Sequence, residues 1–133
     1  MARIILRGAG VFDGTGRRPE RRTVVVEGGR IVDVLPDGGG DAAGDARVID
    51  LGGCTLLPGL IDLHVHLGYG PRSFAPTVAA TALRAARNLR ATQAAGITTV
   101  RDVGTLGGIA VAARDAVAKG DIPGSRVVPC GQI

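Results

Sequence analysis

Apolar and polar positions along this chain fall into two regimes that meet near Pro58 and Gly59. Before that point the apolar runs are short and separated by glycine-rich breaks. Residues 4–6 and 11–12 are two such runs, and residues 13–22 form a Gly-, Arg- and Pro-containing loop. Residues 23–27 and 30–35 flank Gly28 and Gly29, a pair that can take the positive φ angles of a tight turn, so a β-hairpin is predicted there. Residues 36–46 have turn chemistry without periodicity and read as a loop. Residues 48–51 and 55–57 predict two further strands. The whole resembles a small β-sandwich or half of one.

After Gly59 the period lengthens. Residues 60–66 read as a strand, and residues 77–95 as an Ala- and Leu-rich helix with Pro76 placed at its first position. Val78, Ala82, Leu83, Ala86 and Leu89 form the expected apolar stripe, with Arg84, Arg87 and Arg90 turned away from it. Gly96 is the expected C-cap. The β-branched residues 97–100 predict a buried strand. Residues 104–108 form a turn, residues 109–118 a second helix stopped by Gly120, and residues 126–128 begin a third strand. Strand–helix alternation with short connections implies parallel strands under crossover helices. The fold class is therefore α/β with a β-rich N-terminal segment.

Composition narrows the class of protein. The 133 residues are 45% hydrophobic and 21% charged, which fits a folded chain rather than a disordered one. Aromatics are only 2%, so the core is built from Val, Ile, Leu and Ala. A net charge of +4 raises the question of nucleic acid. The arginines group at Arg17, Arg18, Arg21 and Arg22 in the expected loop, and at Arg84, Arg87 and Arg90 on the expected helix. Neither group has an aromatic neighbour for base stacking, so solvated faces are expected and no nucleic-acid partner. Cys54 and Cys130 do not form a CxxC pair and are expected as two buried thiols in a reducing compartment. The run at residues 4–6 is too short for a signal peptide. No run reaches the roughly 18 apolar residues of a membrane helix. A cytoplasmic location without a membrane partner is the expectation.

The chemistry centres on His64 and His66, the two histidines of the chain. Residues i and i+2 of a strand share a face, so Asp62, His64 and His66 are expected on one side and Leu63 and Val65 on the other. Two imidazoles with Cβ atoms roughly 6–7 Å apart can converge on one divalent ion. Such a pair also occurs as exposed or structural histidines, and spacing alone leaves both readings open.

The run PGLIDLHVH at residues 58–66 resembles the PG-x-ID-x-H-x-H signature of the amidohydrolase superfamily. Residues 95–104, AGITTVRDVG, and residues 120–127, GDIPGSRV, are similar to stretches of its imidazolonepropionase-like and prolidase-like branch. Ser125 stands where that branch usually has proline. The resemblance covers essentially the whole chain but only the N-terminal portion of the family's length. It implies an incomplete β-sandwich segment at residues 1–57, followed at residues 58–133 by the first βα units of a (β/α)8 TIM-type barrel, whose full size is about 250 residues. It further implies a hydrolase of C–N bonds in cyclic amides, peptides or similar small molecules, acting through a metal-activated water. The cofactor is one or two divalent ions, with zinc expected, and His64 and His66 are the implied metal ligands. The family adds a bridging lysine or glutamate, further histidines and an aspartate from later strands. Lys119 falls at a helix end and cannot take the bridging place. No catalytic residue is therefore expected within this chain, and the chain alone is expected to be inactive.

Asp62 and Asp102 are candidates for supporting or substrate-contacting roles, each with a structural alternative: a hydrogen bond inside the barrel for Asp62, and a strand–helix cap for Asp102. Tyr69 is either a pocket residue or a plain surface tyrosine. Two alternatives to the hydrolase remain: a non-catalytic truncated relative serving assembly, and a small metal binder that completes its site across a dimer; a homo-oligomer is among the expected partners. An open sheet of three parallel strands leaves an unpaired edge and uncovered apolar faces. The isolated chain is accordingly predicted to be poorly soluble or partly molten; a sharp cooperative thermal transition of the monomer would contradict this.

Overall fold

In a computed structural model, which describes residues 3–40, 45–70 and 77–131, the two N-terminal apolar runs join into one strand, β1 (Arg3–Val11). Gly8 makes this continuity feasible. Its φ of 80° suits the register shift between Leu6 and Ala9, and a Cβ there would lie 3.1 Å from the Asp50 carboxylate. The next strands are β2 (Glu20–Glu27), β3 (Arg30–Pro36), β4 (Arg47–Asp50) and β5 (Thr55–Leu56). They form one five-stranded sheet of order β3-β2-β1-β4, with β5 also pairing β1. β2 and β3 form the expected hairpin, with Gly28 and Gly29 at φ 57° and 76°. β4 and β5 run parallel to β1. Ile5, Ala9, Thr23, Val24 and Val25 are buried in this unit, Met1–Pro58.

Two expectations for this unit are corrected. Arg21 and Arg22 do not belong to a loop: β2 starts at Glu20, and they pair with Gly10 and Ala9 of β1. Their side chains meet Asp37 at 3.0 Å and Glu20 at 2.6 Å in exposed ion pairs. Cys54 is exposed, not buried, because it lies in the turn between β4 and β5, donating its backbone N–H to the Leu51 carbonyl. Cys130, just past the last strand of the second unit, is exposed as well.

The second unit, Gly59–Ile133, follows the predicted alternation. It contains β6 (Leu60–Val65), α1 (Val78–Ala94), β7 (Ile97–Asp102), α2 (Ile109–Lys119) and β8 (Arg126–Pro129). The three strands pair in the order β6-β7-β8, both ladders parallel. Leu67, Ala85, Leu89, Val100, Ile109, Ala110, Ala113 and Val127 form the core beneath the helices, with Val65, Ile97, Val117 and Ile122 packed around them. Leu60, Ile61, Leu63 and Val128 remain exposed. No helix among the described residues is long and apolar enough to cross a membrane.

α1 departs from the sequence reading in two ways. Its N-cap is Thr77, whose hydroxyl accepts the Ala80 N–H, so helical residues start at Val78; the expected first position, Pro76, lies outside the described residues. At the other end the cap is Ala95, and Gly96 follows it with φ 87°. The buried stripe is also rotated. Ala85 and Leu89 are its buried members, while Val78 and Leu83 are 63% and 74% exposed. Arg84 and Asn88 turn partly inward because carbonyls of the loop after β6 need donors there, as described below.

The segment before β8 is held against α1 by Ser125, which is buried. Its N–H donates to the Leu89 carbonyl at 3.3 Å, and its hydroxyl donates to the Ile97 carbonyl at 2.6 Å. Thr92 Oγ1 lies 2.8 Å from the same hydroxyl. A proline here would supply neither donor. Gly124 passes so close to α1 that a Cβ would stand 2.7 Å from Leu89 Cβ. Gly124→Ala is therefore expected to cost about 1–3 kcal/mol by overpacking. The check is faster amide hydrogen exchange in α1 and β8 than in the parent chain.

Candidate metal centre

β6 carries its histidines to the end of the β6–β7 ladder. Val65 pairs with Asp102 and packs on the core, which leaves its neighbours His64 and His66 on the exposed side. The strand itself stops at Val65, so His66 sits one residue past its end. Register shifts between Leu60 and Ile61 and between Asp62 and Val65 interrupt the simple alternation expected for Asp62, His64 and His66. The two imidazoles nevertheless come together, with ring centroids 5.5 Å apart and planes at 78°.

His66 is the better fixed of the two. Its Nδ1 lies 2.8 Å from the Gly104 carbonyl oxygen. A carbonyl has no proton to give, so Nδ1 is the donor, and in the neutral ring this leaves the lone pair on Nε2. Tyr69 places its ring 5.1 Å from that of His66, at a tilt of 58°. Tyr69 is 57% exposed beside that ring. Asp62 Oδ1 accepts the backbone N–H of His64 at 3.1 Å.

Asp102 bonds to backbone groups of two segments and to Thr105. Its side chain is fully buried; Oδ2 accepts from the Leu67 N–H at 2.8 Å and the Thr105 hydroxyl at 2.6 Å, and Oδ1 accepts from the Gly104 N–H at 3.1 Å. Arg101, the next residue back, is exposed and donates to the Leu63 carbonyl at 2.7 Å.

Sequence reasoning missed the residues that hold the loop after His66. Asn88 on α1 donates to the carbonyls of both Leu67 and Tyr69, at 2.9 and 3.1 Å. Arg84 reaches the Gly68 carbonyl at 3.5 Å. Gly68 itself is squeezed: a Cβ would lie 2.5 Å from Thr81 Cγ2 and 3.1 Å from Thr105 Cγ2. An asparagine on the inward face of an otherwise Ala- and Leu-rich helix was the available signal, but nothing in the sequence says which carbonyls it serves. Asn88→Leu leaves the part-buried Leu67 carbonyl without its donor, a cost of about 1–3 kcal/mol. Faster hydrogen exchange at the Tyr69 amide, whose bond to the His66 carbonyl closes this turn, is the expected readout.

Among the described residues no group of three or more His, Cys, Asp or Glu side chains is arranged to hold a metal ion. Two imidazoles at one strand end, one with its tautomer set by a carbonyl, fit part of a zinc-type donor set, which normally has three protein ligands and an open position in catalytic sites.

Comparison with known proteins places this geometry in context. The model of the Amidohydrolase family matches residues 55–131. An allantoinase of Streptomyces avermitilis is 45% identical over 64 residues, covering 48% of this chain and 14% of that protein. An enamidase of Eubacterium barkeri is 37% identical over 78 residues, covering 54% of this chain and 20% of that protein. A crystal structure of a Xaa-Pro dipeptidase with methionine bound in its active site is 31% identical, with a TM-score of 0.86 over 98% of this chain and 33% of that one. The chain thus spans a third or less of each of these relatives.

Proposed function

Starting from the fact that this chain belongs to the amidohydrolase family, we propose that it is the part of a metal-dependent hydrolase that supplies the first two metal ligands, His64 and His66. The substrate class is a small molecule with a C–N bond of amide type, cyclic or dipeptide-like. Allantoinase, enamidase and Xaa-Pro dipeptidase among the similar proteins support that breadth and favour no one member of it. The observation that carries the proposal is the pair of rings 5.5 Å apart at the carboxyl end of β6, where barrel enzymes of this type build their sites.

A divalent ion, with zinc suited to imidazole, would acidify a water and polarise the scissile carbonyl when bound. This chain's own residues would do three things. His66 would offer Nε2 to the ion, since Nδ1 is held by the Gly104 carbonyl. His64 would bring the second imidazole. Tyr69, beside His66, would flank the substrate at the exposed rim. The remaining ligands and the proton-transfer group are assigned to segments that the longer relatives possess, and the chain by itself is expected to be inactive.

The test is competition between this chain and a chromophoric chelator for zinc. His64→Ala and His66→Ala are each expected to weaken zinc binding more than about tenfold, ligand loss being at least as costly as loss of a supporting contact. Zinc binding that is unchanged in the double variant would overturn the assignment.

A further inference from the structure

We propose that Asp102 is a positioning residue for His66: its buried carboxylate sets the imidazole's tautomer and direction through the Gly104 carbonyl. The proposal deepens the metal-site reading and rests on it for its functional meaning, but its geometry stands without a metal.

The argument starts where β6 and β7 part. The ladder's last bond runs from the Val103 N–H to the Val65 carbonyl, at 2.9 Å. Beyond it the two backbones diverge, and the N–H groups of Leu67 and Gly104 have no strand partner. Asp102 bridges them, one oxygen to each, at 2.8 and 3.1 Å. His66 stands between these two anchors. The residue after it is held by Oδ2, and the residue that receives its ring proton is held by Oδ1. Fixing Leu67 fixes the backbone that carries the ring, and fixing Gly104 fixes the carbonyl, 2.8 Å away, that the ring addresses. Both restraints come from a single side chain.

The chemistry calls for a carboxylate in particular. Three donors converge on it: two backbone N–H groups and the Thr105 hydroxyl. An asparagine has one acceptor oxygen and would press an NH2 group against one of those N–H donors. No basic side chain forms an ion pair with Asp102 among the described residues. A fully buried carboxylate is costly unless its oxygens are well bonded. A plain loop cap does not require that cost, since a neutral Ser, Thr or Asn can cap. Holding two backbone segments at once, one on each oxygen, does require it. Thr105 completes the arrangement by accepting from the Gly68 N–H at 3.4 Å while donating to Oδ2, which ties the loop after His66 to the same carboxylate.

The experiment uses the protein at the length of its relatives, carrying this chain, and three variants, Asp102→Asn, Thr105→Val and Thr105→Ser, each checked for folding by circular dichroism. Nitrogen-15 spectra of the imidazoles, recorded without metal, report which ring nitrogen of His66 carries the proton; zinc affinity is measured by chelator competition. In the parent chain His66 is expected as the Nδ1–H tautomer. Thr105→Val and Asp102→Asn are expected to mix the tautomers and to raise the zinc dissociation constant about 10-fold to 100-fold, the usual effect of losing a ligand's supporting contact. Thr105→Ser, which keeps the hydroxyl, is expected to restore both. Folded Thr105→Val and Asp102→Asn with the parent tautomer and zinc affinity overturn the proposal. If Asp102→Asn does not fold, the Val and Ser variants at position 105 decide it by the same two readouts. If the parent binds no zinc, the metal-site reading fails and the tautomer spectra alone support or overturn the positioning role.

Discussion

A pair of parallel strands must end somewhere, and at that point the backbone groups of two diverging segments lose each other as partners. In the second unit of this chain the loss occurs just after Val65 and Val103, and the Asp102 carboxylate takes over from the ladder. The substitution is favourable because buried N–H groups left without acceptors would cost about 1–3 kcal/mol each. Everything that makes the histidine pair usable lies within one or two residues of this junction. His66 is the first residue past β6, Gly104 the second past β7, and Thr105 the third. The candidate site is thus an outcome of how the sheet terminates, with the imidazoles placed where the strand stops alternating and the loop begins.

The same demand for donors reshapes α1. A helix rich in alanine and leucine can bury more than one stripe at similar hydrophobic gain. The orientation adopted here puts Asn88 and Arg84 where they reach the carbonyls of Leu67, Gly68 and Tyr69. In the same orientation Leu83 and Val78 are exposed. Burying a leucine contributes roughly 1.5–3 kcal/mol, comparable to what an unsatisfied carbonyl costs, so the donors supplied to this loop weigh as much as one buried side chain. Gly68 and Gly124 fit this arrangement for steric reasons, each standing where a methyl group would collide with Thr81 or Leu89.

Ser125 illustrates a departure from the family pattern with a local consequence. By resemblance it stands where the branch usually has proline. In the fold it is buried and bonds to Leu89, Ile97 and, through its hydroxyl, Thr92. It joins the end of α1 to the start of β7 and the approach to β8. That role belongs to packing of the unit and leaves the metal reading untouched.

The sequence by itself determined the order of elements, the hairpin at Gly28 and Gly29, the change of regime near Pro58, and the family through its PGLIDLHVH run. These are local properties: periodicity, turn chemistry and a short motif each act over a few residues. The tertiary structure alone decided the buried face of α1, the exposure of both cysteines and the entry of Arg21 and Arg22 into β2. It also decided that Asp102 faces the backbone of Leu67 and Gly104 and that His66 addresses a carbonyl 38 residues away. Each of these depends on which donor meets which acceptor across separate segments. That pairing is set by strand register and helix rotation, which no periodicity in the chain encodes.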